Sequence, residues 1–162
     1  MVLSKVNDIQ LNKFPPTSYR FLVTFLDLGI IPNPLDIGFK TVSGLSSQVE
    51  TEEIREGGEN MFMQRLPKRI TYSNLVLTRG MVIGSLLNRN LNLQFSTMTF
   101  IPGTVLVILL GNTPVGLGPV AGWICQEAYP VKWEVSDLDG SKNEVVIETM
   151  ELAYSRLQTV RI

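Results

Sequence analysis

Five glutamates, Glu50, Glu52, Glu53, Glu56 and Glu59, crowd into ten consecutive positions. Carboxylates this close could divide the acid and base work of a hydrolysis, or form an oxygen shell for Ca²⁺. Their spacing fits no calcium loop, and their neighbours are polar rather than pocket-forming. The other reactive types are scarce. The chain has no histidine, which removes an imidazole base, a histidine-bearing triad and an imidazole metal ligand. Its one cysteine, Cys125, sits in an apolar run, where a thiol is inert, and one sulfur without histidine makes no zinc site. Residues 111–122 are glycine-rich but lack the Gly-Lys-Ser/Thr ending of a phosphate loop. The reading is therefore a structural protein: no catalytic residue, no metal and no cofactor.

The element that holds those glutamates organises the chain. Residues 47–79 read as a long projecting β-hairpin. Its first arm, 47–55, carries charge on both faces, with Glu50 and Glu52 on one and Glu53 and Arg55 on the other. A strand packed on a core alternates apolar and polar residues, and this one hardly does. Gly57 and Gly58, followed by Glu59 and Asn60, free the backbone for a turn or bulge. The return arm regains order over 70–78, with Tyr72, Leu75 and Leu77 as anchors. A two-stranded ribbon without an apolar face is marginal in water. Its stability is expected to come from a neighbouring molecule, which makes Glu50, Glu52, Glu53, Arg55, Glu56, Gly57, Gly58, Glu59 and Asn60 the candidate interface.

The rest reads as one domain, residues 1–162, since 162 residues suit a single core. Residues 1–18 form an extended arm ending in Pro-Pro-Thr-Ser, with no export signal, so synthesis in a reducing compartment is expected. Fourteen basic and 15 acidic side chains give no basic excess for general nucleic-acid binding. Strands are expected at 19–26, 37–42, 104–110, 121–127, 131–135 and 144–154, with a bend at Asp139-Gly140. In the strand 131–135, Lys132 and Glu134 share the polar face opposite Val131, Trp133 and Val135. One helix is expected at 81–92, from the spacing of Val82, Ile83, Leu86, Leu87 and Leu91. Between Asn90 and Gln126 the only charge-bearing types are missing altogether, yet prolines and glycines interrupt the run too often for a membrane span. Burial against other subunits explains such a stretch best. The fold class is mainly β, an antiparallel sandwich or barrel with one helix and the hairpin.

In order along the chain, SGLSSQVETEEIREGGEN, QRLP, YSNLVLTRG, AYPVKWEVSDLDG and EVVIETMELAY resemble the tail tube proteins of contractile phages and phage-tail-like extracellular injection systems. The resemblance runs from about residue 39 to 154. It implies a β-barrel protomer, six protomers closing a ring, and rings stacking into a hollow tube within a contractile sheath. It further implies a hairpin that reaches neighbouring protomers, sheath and baseplate proteins as partners, and protein or nucleic acid as cargo. Lys68 replaces a glycine of many relatives and no Trp marks the helix, so an initiator layer at the baseplate stands beside the main tube subunit. A ligand-binding β-barrel, its pocket lined by the uncharged stretch, is the remaining alternative.

Overall fold

The computed structural model describes residues 20–26, 36–54, 64–113 and 116–161. The strands are β1 (Phe21–Leu26), β2 (Thr41–Ser43), β3 (Ser47–Ile54), β4 (Gln64–Tyr72), β5 (Leu75–Gly80), β6 (Gly103–Thr113), β7 (Gly116–Val135), β8 (Ile147–Ala153) and β9 (Arg156–Arg161); α1 (Leu86–Thr97) lies between β5 and β6. All pairings are antiparallel.

Two sheets share the long strand β7. Its first part pairs with β6 and β9, and β6 in turn with β1; its last part pairs with β8, which leads through β5 to β2. The change of partner falls at Glu127, which adopts φ 55°. A non-glycine residue in the left-handed region bends the strand there. The β8–β9 corner turns alongside it, held by a Ser155 N–H that donates to the Gln126 carbonyl at 3.1 Å. Expectation had placed two separate strands at 121–127 and 131–135, and the structure joins them. Strand β9 was not anticipated, and the last return strand begins at Ile147 rather than at 144.

Alternation builds one core between the sheets. Val23 and Phe25 from β1, Val105 and Val107 from β6 and Cys125 from β7 meet Leu75, Leu77, Met150 and Leu152 from the second sheet. Burial pushes the Cys125 thiol up to about 11, so it stays protonated and unreactive at neutral pH.

The helix starts five residues later than its apolar spacing suggests. Gly84 has φ 84° and interrupts any earlier start. Ser85 then caps the helix, its hydroxyl accepting from the Asn88 N–H at 3.1 Å. Leu87 and Leu91 face the core, whereas Ile83, counted in the expected stripe, is exposed on the connection. No helix among the described residues is long and apolar enough to cross a membrane.

Candidate assembly surfaces

Strands β3 and β4 pair only with each other and form a separate two-stranded sheet. The ribbon ends at Tyr72. The expected extent to Arg79 is corrected, because β5 turns away through Ser73-Asn74 into the second sheet, where Leu75 and Leu77 need a core. Along both strands nearly every residue from Ser47 to Ile54 and from Gln64 to Ile70 is exposed. Glu50, Glu52 and Glu53 each meet a cation across the ribbon: Arg69 at 2.8 Å, Lys68 at 3.8 Å and Arg65 at 3.2 Å. A bulge opposite Glu50 places two residues of β4, Lys68 and Arg69, against one of β3. The carboxylates are thus spent on ribbon cations, and among the described residues no cluster could hold a metal ion. Exposed pairs of this kind contribute little to stability. Between them stand the exposed apolar side chains Val49, Ile54, Leu66 and Ile70. The expected tip residues Arg55, Glu56, Gly57, Gly58, Glu59 and Asn60 lie outside the described residues.

The base of the ribbon is tightly built. The Tyr154 hydroxyl donates to the carbonyls of Gly44 at 2.8 Å and Ser46 at 3.3 Å, and its ring lies 5.5 Å from that of Tyr72. The Ser46 hydroxyl donates to that of Ser73 at 2.9 Å, and the Asn74 amide donates to Glu151 at 2.7 Å. Gly44 has φ 87°, and a Cβ on it would stand 1.8 Å from the Asn74 carbonyl oxygen. Only glycine fits where these two backbones cross. Gly44→Ala is therefore expected to cost at least about 3 kcal/mol, through strain and a forced shift of the ribbon. Thermal unfolding of the purified protomer measures it.

The outer faces of the two sheets contrast. On the second sheet the outward row contains Thr41 and Thr78, whose hydroxyls bond one another, with Thr149, Lys132, Glu134 and Glu151. Lys132 and Glu134 lie on this polar face, 2.5 Å apart, and the partnership holds the lysine above its ordinary value. On the first sheet the outward row holds the apolar residues Leu22, Leu26, Leu106, Ile108, Ile124 and Val160, with the polar Thr24, Gln126 and Gln158 among them and the charged Arg156 at one end, in register with Gln126.

A buried polar cluster, which sequence reasoning missed, positions the helix against these sheets. Arg79, on the inward row of β5, pairs in register with Glu148 of β8, and both are fully enclosed. Its Nε donates to Glu148 at 3.2 Å, Nη1 to Asp36 at 2.8 Å, and Nη2 to the Ser85 hydroxyl at 2.7 Å and to Asn88 at 2.8 Å. The Phe39 ring covers the guanidinium at 5.5 Å. Asn88 donates to the second oxygen of Glu148 at 2.7 Å. Asp36 accepts from the Ser85 hydroxyl at 2.5 Å and the Leu87 N–H at 3.3 Å. Burial pushes the Asp36 carboxyl up, but the bonds from Ser85, Arg79 and Leu87 outweigh it and hold the group below its ordinary value. The cluster joins β5, β8, α1 and the segment before β2. It is a structural clamp between these elements.

The sequence model of the T4-like virus tail tube protein gp19 matches residues 17–158. The chain belongs to the tail tube protein family. Among solved structures, a chain of the anti-feeding prophage baseplate, 6-fold symmetrised, is 36% identical and superposes with TM-score 0.81, over 91% of this tube protein and 97% of that chain. A chain of the sheath–tube complex of the extracellular contractile injection system PVC, in the extended state, is 19% identical with TM-score 0.77, over 96% and 97%. A chain of the anti-feeding prophage cap is 22% identical with TM-score 0.73, over 93% and 93%. The last two show a shared fold. Among curated proteins none matches.

Proposed function

We propose that this tube protein is a protomer of the inner tube of a contractile injection particle or phage tail, with six copies closing a ring and rings stacking around a channel. Family membership carries this reading, and the surfaces give it a physical basis. The ribbon has no core of its own and exposes apolar groups among neutralised charges, as a segment made for a neighbouring protomer does. Among the described residues strand β9 pairs on one side only, with β7, which suits extension of its outer edge by a neighbour within a ring. A heterologous contact that closes gives a ring, and one that does not gives a filament. The polar row with Lys132 and Glu134 suits a water-filled lumen through which protein or nucleic acid passes. The largely apolar row around Ile124 suits burial against other subunits, sheath and baseplate proteins included. With no histidine and a buried thiol, the protomer does no chemistry of its own.

One observation favours a particular layer. The 36% identical chain comes from a baseplate structure, whereas the chains from the sheath–tube complex and the cap are 19% and 22% identical. This supports the initiator layer between tube and baseplate as the second reading. Electron microscopy and native mass spectrometry of the purified protein decide: six-copy rings support a tube protomer, long stacks the main subunit, single rings the initiator. A persistent monomer overturns both.

The apolar row has its own test. Ile124 is half-buried, in register with Leu106 and Gln158. Ile124→Glu is expected to leave circular dichroism near that of the parent while abolishing assembly beyond the protomer on sizing columns. Normal assembly by a folded variant would remove this row from the interface.

A further inference from the structure

The ribbon leaves the body through two short links, residues 44–46 before β3 and residues 73–74 after β4. Among the described residues β3 and β4 pair with no strand but each other, so no ladder of hydrogen bonds fixes where the ribbon points. A strand pair held at one end by two links could swing about them as a unit. Some contacts at the base only tie the links to one another. The Asn74 carbonyl lies so close to Gly44 that a Cβ there would stand 1.8 Å from it, and the Ser46 hydroxyl donates to that of Ser73 at 2.9 Å. These make the base one piece without aiming it. The anchors come from the end of β8. That strand buries Glu148, Met150 and Leu152 and turns the residues between them to the other face. Tyr154 continues the buried row, whereas Glu151 belongs to the outward one. From the core side the Tyr154 hydroxyl shares its one proton between the carbonyls of Gly44 at 2.8 Å and Ser46 at 3.3 Å. From the outer side Glu151 accepts from the Asn74 amide at 2.7 Å. Lys132, in register with Glu151, turns to Glu134 instead and leaves Glu151 to Asn74.

From this geometry we infer that Tyr154 and Glu151 form a two-sided grip that presets the direction of the ribbon in the free protomer. Tyr154 holds the first link from the core face of the second sheet, and Glu151 holds the second link from the outer face. Because the links are bound to each other, a swing toward either face stretches one of the two attachments. Both are positioning residues: they touch no partner and act by aiming the strands that do. The use of such a grip lies in preorganisation. An arm aimed before it meets a partner has less freedom to lose on binding than one that the partner must orient. The grip lies within one chain and stands apart from the tube reading, whereas its consequence for assembly rests on that reading.

Pulsed electron paramagnetic resonance tests the grip. Nitroxides on Thr51→Cys in β3 and Asn92→Cys in α1, both exposed positions, report the ribbon against the body, and the buried Cys125 stays unlabelled. The protomer fraction from a sizing column is measured, and where the parent elutes as assemblies all proteins carry Ile124→Glu. The parent is expected to give one narrow distance, and the double variant Tyr154→Phe, Glu151→Ala to lose that peak to a broad distribution. Glu151→Gln, which keeps an acceptor for Asn74, is expected to retain it. A second label pair, Asn92→Cys with Thr159→Cys in β9, is expected to keep its distance in the double variant. A broad distribution in the parent, or a narrow one in the double variant, would overturn the grip. Broadening of both label pairs would assign the two residues to the fold at large and overturn it as well. Assembly supplies the second readout. Without Ile124→Glu, the double variant is expected to need a higher protein concentration than the parent to form particles. Assembly at the parent's concentration despite a broadened distance would overturn the pre-aiming and leave the tube reading intact. A parent that stays monomeric, with its narrow distance lost in the double variant, would overturn the tube reading and support the grip.

Discussion

Arg79→Met is expected to destabilise the protomer by about 3–5 kcal/mol, the largest effect of any single substitution outside the ribbon. The methionine fills much of the arginine's volume, so the cost does not come from a cavity. It comes from leaving Glu148 and Asp36, two enclosed carboxylates, without the guanidinium that neutralises them. A comparison variant separates the effects. Arg79→Met combined with Glu148→Met and Asp36→Asn removes cation and anions together, and is expected to recover most of the loss, because apolar replacement of a whole buried ionic group is often near neutral. Urea unfolding of the three proteins provides the readout, and equal instability of the single and triple variants would sink the electrostatic account.

The acid sensitivity of that variant should be weaker than the parent's. In the parent, Asp36 has a folded-state pKa below the ordinary 3.8. Its contribution is fully present above the unfolded value and fades as pH falls through the folded one, so acid weakens the parent. In Arg79→Met the guanidinium is gone while burial still raises the Asp36 carboxyl, so its folded-state value moves up toward the unfolded one. The two states then differ less in bound protons, and the acid loss from this group shrinks. Equal acid losses from parent and variant below about pH 5 would argue against the cluster as drawn.

What the sequence could show follows from the same residues. Strand β1 was legible in full: Phe21, Val23 and Phe25 alternate with Leu22 and Leu26, and the structure places the first set inward and the second half outward. The ribbon was legible because charge on both faces has one simple meaning, a strand pair without a core. The helix was misplaced because Val82 and Ile83 fit the apolar spacing, and spacing alone does not report that Gly84 takes a positive φ. The turn chemistry at Ser85 was the better signal. Strands 121–127 and 131–135 looked separate because the bend at Glu127 uses a residue that rarely adopts φ > 0, and no glycine announces it. The buried cluster left a trace that could have been read. Arg79 continues the inward row of Leu75 and Leu77, and Glu148 begins the row of Met150 and Leu152. Two opposite charges, each on the apolar row of its strand, predict a pair buried between them. What no single sequence conveys is register: that these two residues face each other depends on β5 pairing with β8 across 69 positions.

Closing the ribbon early is expected to abolish tube assembly while leaving the protomer folded. The register supplies the design. Glu52 and Leu66 face each other across β3 and β4, so replacing Glu53–Arg65 with Asn-Gly joins them through the turn that suits a tight hairpin. The change removes residues 55–63 together with Ile54 and the Glu53–Arg65 pair, and neither Ile54 nor that pair contributes to the core. It keeps the Glu50–Arg69 and Glu52–Lys68 pairs and everything at the base, including Gly44, Tyr72 and Tyr154. The unfolding midpoint should therefore stay within about 0.5 kcal/mol equivalent of the parent, as surface changes usually do. Assembly should fall from stacks to isolated rings or protomers, because the removed segment belongs to a strand pair that exposes Ile54 and has no core of its own. The gentler swap of Glu50, Glu52 and Glu53 for lysine leaves the backbone in place but sets three added cations beside Arg65, Lys68 and Arg69. The ribbon then repels itself and whatever it docks on, and assembly should recover partly as salt screens those charges. Electron micrographs showing ordinary stacks from the shortened protein would mean the segment it lacks is not the stacking element, and the contact would have to be sought on the ends of the two-sheet body.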